Sequence, residues 1–428
     1  MGHWGGWVFR LVRAMGIAVV VAAVAISLLV LWPRRDPHPP LRLAKGTLAI
    51  VHARIYTTPT DAPIPDGTVV MVDGRIAAVG ANVAVPQGAT LLACDRCVVT
   101  AGFWNAHVHF TEAKWGGAEW KQANELDAQL ADMLTSRGFT TVVDTGSNLI
   151  DTLPIRRRIE RGELDGPYIY TAGAALYPPH GIPYYLRDTL PRWILFLMPQ
   201  PATTREAEKD VQRNLDRGAD ITKLFTGSWI ARGKVLPMPL DIAKAAVVRT
   251  HLNGRLVFSH PSNLAGTEVA IQSGVDVLAH APDSTEGIDG ALLATMVKRN
   301  MAMIPTLKMF ATTVTKSPAY LDPIYGEVRK FHELGGQPIF GTDVGYMTDY
   351  TTQDEFEALG KCGLTPMNVL AMLTTNPASR FGVSNAKGTV TVGKLADLTI
   401  LDGDPAQDAT AFSKVRATIR SGRVIYRR

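Results

Sequence analysis

The sequence predicts an α/β protein built on a parallel (β/α)8 barrel, and three observations lead to this fold. Short apolar segments alternate with amphipathic helical segments over most of the chain, the order typical of repeated βα units. Eight of these segments are apolar on both faces, as strands between a packed interior and a ring of helices must be. With 428 residues, 46% of them hydrophobic, the chain is long enough for a barrel and one smaller module.

The barrel is expected to occupy residues 101–381. The segments between its strands carry helical periodicity, as in residues 206–217 and 239–252. Two connections, at residues 177–201 and 308–323, are longer than βα loops need to be, and long loops at a barrel mouth are usually functional. The eight strands are predicted at residues 103–109, 140–145, 168–173, 221–226, 255–260, 275–280, 302–307 and 338–343.

The two ends of the chain are predicted to pair into one small β-sandwich. Residues 45–100 and 382–428 both consist of short β-like segments separated by Gly, Pro and Asp turn signals. Residues 36–44 are expected to be a linker, because four prolines between residues 33 and 40 exclude a helix and a central strand.

Residues 1–35 contain an uncharged, apolar run at residues 15–32, with two arginines on each side. A helix of this length spans about 27 Å at about 1.5 Å per residue, close to the ~30 Å hydrocarbon core of a bilayer. We therefore expect a hydrophobic helix that acts as an uncleaved signal anchor and links the protein to a membrane. The alternative is a cleaved signal peptide, with Ala23-Val24-Ala25 as its site. Either interpretation places the barrel, anchored or secreted, outside the cytoplasm in the periplasm or extracellular space.

The charge distribution excludes one class of partner. The 44 basic and 39 acidic side chains are spread along the whole chain, so there is no basic stripe of the kind that binds a nucleic acid. A small-molecule substrate is the expected partner. The sequence leaves open whether the protein is a monomer or a homo-oligomer.

Cysteine usage is low, with three residues in the chain. Cys94 and Cys97 form a C-x-x-C pair that could be bridged in an oxidising compartment or could be two small residues at the end of a strand. A cysteine zinc site is not expected, because Cys362 alone remains as a further thiolate ligand.

Residues able to bind a metal stand at the C-terminal ends of five predicted strands. In a (β/α)8 barrel these ends converge on one cavity, so residues distant in sequence can meet there. The spacing of two in His107-Val108-His109 directs both imidazoles to the same side of a strand. Taken singly, each histidine could be a packed core residue, and Asp343 could be a helix N-cap. The full set is His107, His109, Lys223, His260, His280 and Asp343.

Lys223 is the informative member of this set, because "ITKLF" places an ammonium group inside a buried strand. A buried lysine is rare unless its charge is compensated. Either an acidic neighbour pairs with Lys223, or its amine has lost its charge and reacted with carbon dioxide to form a carbamate. A carbamate would be an anionic, bidentate ligand suited to bridging two divalent cations.

These residues resemble the amidohydrolase superfamily, in particular its binuclear, carboxylated-lysine members of the imidazolonepropionase and prolidase type. The resemblance extends from about residue 45 to the C-terminus. Two departures are Ala101, where the family usually has proline, and "HPSN" after strand five, where peptidase-like relatives often have "HAHG". Neither departure removes a ligand. The resemblance rests on "TAGFWNAHVHF", "GADITKLF", "LVFSHPSN", "GVDVLAH", "FGTD", "TTNPASRFG" and "VGKLADLTILDGDP".

The resemblance implies a centre of two divalent metal ions, with zinc the expected metal and manganese, cobalt and iron as competitors. The H-x-H histidines and Asp343 would hold one ion, His260 and His280 would hold the other, and Lys223 would bridge the two as a carbamate. The implied activity is hydrolysis of a C–N bond, in an amide, cyclic amide or peptide of a small substrate, by a metal-bridged hydroxide. Asp343 would also carry the proton to the leaving amine.

Two other functions and two further residues stay open. A mononuclear deaminase of heterocycles would share the barrel, but it would dispense with the bridging lysine and typically has an acidic residue soon after the strand-five histidine. A catalytically inactive, membrane-tethered binding protein would usually have lost ligands, whereas all six positions are filled. His180 and Tyr185, in the loop after strand three, could bind substrate or could be an exposed loop histidine and a packing tyrosine.

Overall fold

The computed structural model describes residues 39–94 and 96–428, and in this part of the chain strands lie at both ends and in the middle. In chain order the strands are β1 Thr47–Ile55, β2 Ile64–Val72, β3 Arg75–Gly80, β4 Thr90–Ala93, β5 Val98–Ala101, β6 Phe103–Val108, β7 Phe139–Asp144, β8 Tyr168–Thr171, β9 Thr222–Phe225, β10 Gly227–Ala231, β11 Lys234–Pro237, β12 Val257–His260, β13 Val277–Leu278, β14 Ala302–Met303, β15 Gln337–Pro338, β16 Leu398–Leu401, β17 Val415–Arg420 and β18 Arg423–Arg427.

Helices connect the strands of the middle segment. Short 3-10 helices lie at Ala113–Trp115, Thr135–Arg137 and Ala409–Ser413. The α-helices are α1 Ala123–Met133, α2 Leu149–Arg161, α3 Tyr184–Arg187, α4 Arg192–Leu197, α5 Thr204–Asp216, α6 Leu240–Leu252, α7 Leu264–Ser273, α8 Gly290–Lys298, α9 Leu307–Thr313, α10 Pro318–Glu333, α11 Gln353–Lys361, α12 Pro366–Leu373 and α13 Thr375–Arg380.

Eight parallel strands form the centre of the fold and close into a ring. β6, β7 and β8 pair in one sheet, and β9, β12, β13, β14 and β15 pair in a second. The sheets meet on both sides, because the amide of Asp220 donates to the carbonyl of Thr171 (2.7 Å) and the amide of Ala106 donates to the carbonyl of Phe340 (2.8 Å). A strand lies at each of the eight predicted positions, and the arrangement agrees with a (β/α)8 barrel.

The interior of the ring is filled by apolar side chains that come from all eight strands or from residues next to them. They form a buried cluster separate from the larger one between strands and helices. Trp104, near the start of β6, packs against Tyr170 and Phe381, with ring centroids 5.9 and 5.4 Å away. The predicted site residues lie beyond this packing, at the C-terminal strand ends. The cluster includes Ala106, Val143, Ala172, Ile221, Phe258, Val277, Ala302 and Ile339.

Strands from both ends of the chain form one eight-stranded sheet, in the order β18-β17-β16-β5-β1-β2-β3, with β4 paired to β1. The two ends join through antiparallel pairing of β5 with β16, in which Leu398 lies opposite Ala101. The apolar side chains of this sheet form their own buried cluster, which contains Cys94 and Cys97. These two cysteines are bridged by a disulfide. Of the two alternatives for the C-x-x-C pair, the structure therefore has the bridge.

The long connection at residues 177–201 contains two short helices, α3 and α4, and the side chains of Trp193 and Phe196 on α4 are exposed.

The connection at residues 308–323 differs from the prediction, because α9 and the start of α10 make most of it helical. Pro318 begins α10, where its fixed φ angle and missing N–H are both tolerated.

The predicted N-terminal anchor lies outside the described residues, so the anchor and its signal-peptide alternative stay predictions. Within residues 39–94 and 96–428, every helix is too short or too polar to cross a bilayer.

A buried ion pair ties the barrel to the terminal sheet. Lys387 Nζ lies 2.8 Å from Asp397 Oδ2 and 3.0 Å from Thr141 Oγ1 of barrel strand β7. The other carboxylate oxygen of Asp397 accepts from the amide of Ser421, which follows β17 (2.7 Å). Because both charged side chains are buried, each depends on the other for compensation.

We expect Asp397→Asn to lower the free energy of unfolding by about 3–5 kcal/mol, because it leaves the Lys387 ammonium buried without a counter-charge. Urea denaturation followed by circular dichroism measures the change. Glu333→Gln is the control, since it breaks a pair with Lys330 whose side chains are 53% and 51% exposed, and it should cost less than about 1 kcal/mol. Equal, small losses in the two variants would contradict a structural role for the buried pair.

Candidate metal centre

The six predicted ligand positions come together at the C-terminal mouth of the barrel. The imidazole of His280 is central, with its ring centroid 4.5 Å from that of His107 and 4.5 Å from that of His260. The rings of His107 and His109 lie 5.3 Å apart. Five strand ends therefore meet in one small volume, as the convergence of barrel strands predicts.

His107, His109 and Asp343 form the tightest group. Asp343 Oδ1 lies 3.3 Å from His107 Nε2 and 3.0 Å from His109 Nε2. One ligand atom from each of the three residues lies within 4.8 Å of the others, a spacing that can hold a metal ion. His107 and Asp343 are buried, whereas His109 is partly exposed.

Hydrogen bonds to the outer nitrogens orient three of these imidazoles. His107 Nδ1 lies 2.6 Å from the carbonyl oxygen of Ala279, and His109 Nδ1 lies 2.9 Å from that of Gly146. A carbonyl can only accept, so both Nδ1 atoms carry the proton. His280 Nδ1 lies 2.7 Å from Thr306 Oγ1, whose own proton goes to the carbonyl of Pro305. In the neutral rings each Nε2 therefore presents a lone pair towards the centre.

This arrangement suits a cation. Burial, with the charge of Lys223 added, lowers the pKa of His107 and of His260 well below the ordinary value. Burial likewise lowers the pKa of His280. Neutral imidazoles are the form that binds metals. The lone pair on His107 Nε2 and the Asp343 carboxylate repel each other unless a positive charge lies between them. Imidazole nitrogens and a carboxylate oxygen together form a set of ligands that divalent metals accept.

His109 is the exception among the four histidines. Burial opposes its protonation, but the hydrogen bond and charge of Asp343 raise the pKa of His109 above the ordinary value. A proton on His109 and a metal ion are two ways to place positive charge beside the same carboxylate.

Lys223 differs sharply from the other buried lysine at the barrel mouth. Its side chain is buried on β9, and no ion pair or hydrogen bond reaches its amine from residues 39–94 and 96–428. Burial lowers the pKa of Lys223 to about 7, with Asp343 opposing the shift. Lys308 is equally buried, yet its ammonium contacts Asp349 Oδ2 (2.9 Å) and two oxygen atoms of Thr351 (2.7 and 2.8 Å). Of the two alternatives for Lys223, the acidic partner is thus absent from the described contacts.

The backbone at this mouth adopts conformations that non-glycine residues rarely take. Ser262, Thr306 and Asp343 have φ angles of 60°, 51° and 61°, each just beyond the end of a barrel strand. Such left-handed residues concentrate at functional sites. Gly345 makes the approach of Asp343 possible, because a Cβ atom there would lie 1.9 Å from the carbonyl oxygen of His109.

Asp144 is a residue that the sequence interpretation missed. It ends β7, is buried, and accepts hydrogen bonds from Ser147 Oγ (2.6 Å), Thr171 Oγ1 (2.7 Å) and Thr152 Oγ1 (3.1 Å). Its charge helps to raise the pKa of His109. The signal was present in "TTVVDT", where an aspartate ends a predicted strand as the other site residues do.

The two residues predicted with the substrate differ in position. His180 is exposed and has a φ angle of 58°, and no described contact joins it to the six clustered residues. Tyr185, the second residue of α3, is partly buried, and its ring centroid lies 5.8 Å from that of Tyr346. Burial raises the pKa of Tyr185 well above the ordinary value, and the charge of Asp343 adds to the shift. Tyr185 therefore lies within electrostatic range of the cluster.

Comparisons with known proteins give the family. An uncharacterized protein of Mycobacterium tuberculosis is 26% identical over 291 residues, 64% of this chain and 71% of that protein. The imidazolonepropionase of Thermoplasma volcanium is 26% identical over 142 residues, 31% of this chain and 35% of that protein. A solved Xaa-Pro dipeptidase with bound methionine in its active site has a TM-score of 0.74 at 21% identity, covering 90% of this chain and 100% of that one. The family profile described as Amidohydrolase family matches residues 98–425, and the chain therefore belongs to the amidohydrolase family.

Proposed function

We propose that the protein is a metal-dependent hydrolase that cleaves a C–N bond in a small amide, cyclic amide or dipeptide. The observation that carries this proposal is the contact between Asp343 Oδ1 and the Nε2 atoms of His107 and His109, where a metal ion would supply the positive charge that a proton on His109 can otherwise provide. The names of the similar proteins support the bond type, because one is an imidazolonepropionase and another is a dipeptidase.

In the proposed centre, His107, His109 and Asp343 would hold one divalent ion, and His260 and His280 would hold a second. Lys223 would be a ligand to both as a carbamate, formed when its neutral amine adds carbon dioxide and releases one proton. Two features favour this modification. The amine has no counter-ion among the described residues, and a pKa of about 7 leaves roughly half of it uncharged at neutral pH. Zinc is the proposed metal.

Metal ions in such a site, when bound, lower the pKa of a water molecule and polarise a carbonyl oxygen. The protein's own residues then orient the substrate and move the proton. Asp343 directs Oδ1 at two imidazoles, so Oδ2 is assigned the proton that must reach the leaving amine. The phenol of Tyr185, held in its protonated form, is assigned as a hydrogen-bond donor to the substrate.

A deaminase is the weaker candidate. It would need no bridging ligand, yet Lys223 is buried among the histidines without an acidic partner in residues 39–94 and 96–428. The residues after His260 also offer no carboxyl group to protonate a heterocycle, because Pro261, Ser262 and Asn263 follow it and Asn263 caps α7.

The membrane anchor, export and any homo-oligomer are proposals carried by the sequence alone.

We expect Asp343→Asn to reduce turnover about 10²- to 10⁴-fold, because an amide can neither accept the proton nor supply the anionic ligand. Turnover on a panel of N-acyl amino acids, dipeptides and lactams is measured beside metal content by atomic emission. Asp354→Asn makes the same chemical change at an exposed position on α11 and should keep wild-type values. Wild-type turnover by Asp343→Asn would rule out its assigned role.

We expect protein reconstituted with zinc and ¹³C-bicarbonate to show a carbamate carbon resonance that is absent from Lys223→Arg. Lys223→Arg should also bind about one metal ion per chain instead of about two, because the bridging ligand is lost. The measurements are ¹³C nuclear magnetic resonance and metal analysis.

The matched control for this experiment is Lys308→Arg, which replaces the buried lysine that already has ion-pair and hydrogen-bond partners. This variant should retain the carbamate resonance. A zinc-loaded wild-type protein without the resonance would mean that Lys223 is an unmodified amine.

A further inference from the structure

Asp283 is an acidic residue near the candidate metal centre, and no cationic partner reaches it from residues 39–94 and 96–428. It lies in the loop that leaves β13, three residues after His280. Three residues of extended chain span at most about 11 Å, so Asp283 is within that distance of His280 along the backbone. Its amide donates to the carbonyl of Ser262 (3.1 Å), two residues after His260. The loop is thereby held between the ends of two ligand-bearing strands.

Two aromatic side chains bind the Asp283 carboxylate. Trp229 Nε1, from strand β10, donates to Oδ1 (3.2 Å), and the hydroxyl of Tyr320, from helix α10, donates to Oδ2 (3.1 Å). Both rings are only partly buried, as is Asp283 itself. The carboxylate is therefore held between two aromatic groups that each keep part of their surface exposed.

Contacts and charge connect this group to the predicted site. The ring of Phe310 lies 6.2 Å from that of His280 and 6.4 Å from that of Tyr320, and so bridges the two. The charge of Asp283 acts on Tyr185, as does that of Asp343. Tyr185 thus stands within electrostatic range of both carboxylates.

The negative charge of Asp283 is offset by hydrogen bonds from Trp229 and Tyr320 rather than by an opposite charge. No ion pair reaches it from the described parts of the chain, 39–94 and 96–428. Burial raises the pKa of Asp283 to about 6, so it is still mostly ionised at neutral pH. Its acidic neighbour Glu327 is buried on α10, and both carboxylate oxygens lack a described hydrogen-bond partner. Burial raises the pKa of Glu327 to about 9, which keeps it neutral there.

An ionised carboxylate that is partly buried and has no counter-ion is costly unless a cation reaches it. Tryptophan and tyrosine rings also attract cations through their quadrupoles. Both features favour the same ligand chemistry, an ammonium or guanidinium group.

We propose that Asp283, with Trp229 and Tyr320, forms a subsite for a cationic group of the substrate. The inference rests on the proposed function and narrows it to amides that carry an ammonium or guanidinium group near the scissile bond. Asp283 acts by binding this group and takes no part in proton transfer.

Matched substrate pairs test the subsite, because they differ in charge at nearly constant shape. One pair is N-acetyl-lysine and N-acetyl-norleucine, a second is alanyl-lysine and alanyl-norleucine, and a third is alanyl-arginine and alanyl-citrulline. The quantity is the ratio of kcat/KM for the cationic member to that for the neutral member, measured for zinc-loaded wild type, Asp283→Asn and Glu286→Gln. Glu286 is an exposed acid in the same loop and serves as the control.

For at least one pair we expect a ratio of about ten or more in wild type and in Glu286→Gln, and a ratio near one in Asp283→Asn. A ratio near one in wild type for every pair would overturn the proposal. An equal loss for both members in Asp283→Asn would also overturn it, because that result means the carboxylate only holds Trp229 and Tyr320 in place.

A binding measurement separates failure of the subsite from failure of the proposed function. Calorimetric titration of lysine and norleucine into zinc-loaded wild type and Asp283→Asn needs no turnover. Preferential binding of lysine that disappears in Asp283→Asn supports the subsite even if no amide is cleaved, in which case the proposed hydrolysis fails alone. Equal binding of the two amino acids by wild type, with no charge preference in turnover, rejects the subsite.

Discussion

The contact between the Asp343 carboxylate and the imidazoles of His107 and His109 is the constraint on which the barrel mouth depends. His107 Nε2 faces Asp343 Oδ1 with its lone pair at 3.3 Å, and His109 Nε2 lies 3.0 Å from the same oxygen, so the arrangement is favourable only when a proton or a metal ion places positive charge there. The surrounding groups preserve the contact, because the carbonyls of Ala279 and Gly146 hold the Nδ1 protons away from the centre. A structure that aims two imidazole nitrogens at one carboxylate oxygen in this way is preorganised for a cation.

The same contact between Asp343 and the two histidines explains why the strained backbone conformations lie at the barrel mouth. Left-handed conformations at Ser262, Thr306 and Asp343 cost on the order of 1–3 kcal/mol each, and they persist only where the surroundings determine them. The apolar layer inside the ring and the buried pair of Lys387 with Asp397 provide rigid surroundings on the opposite side. The packing that stabilises the barrel thus lies towards one end of the barrel axis, and the strained site residues lie at the other end.

Sequence patterns predicted the strands and the meeting of six distant residues at one mouth, because barrel geometry converts strand ends into neighbours. They missed Asp144, whose role depends on three hydroxyl donors from separate segments. They did not predict the helices within residues 308–323, where Leu307–Thr313 and the start of α10 make most of the connection helical and Pro318 begins α10. The partners of Asp283 lie 54 and 37 residues away in sequence, and no local pattern could have paired them.

Charge balance links the two ends of the proposed pocket. Two divalent ions, one carboxylate and one carbamate leave the proposed centre net positive, while Asp283 contributes a negative charge a short distance along the loop. A substrate whose carbonyl oxygen faces the metals and whose cationic group faces Asp283 is aligned by both ends at once. An anionic group placed beside Asp283 is disfavoured by the same carboxylate. Lys223 and Asp283 are therefore related features, because each is a charge-bearing group at the mouth that the described chain leaves without a counter-ion.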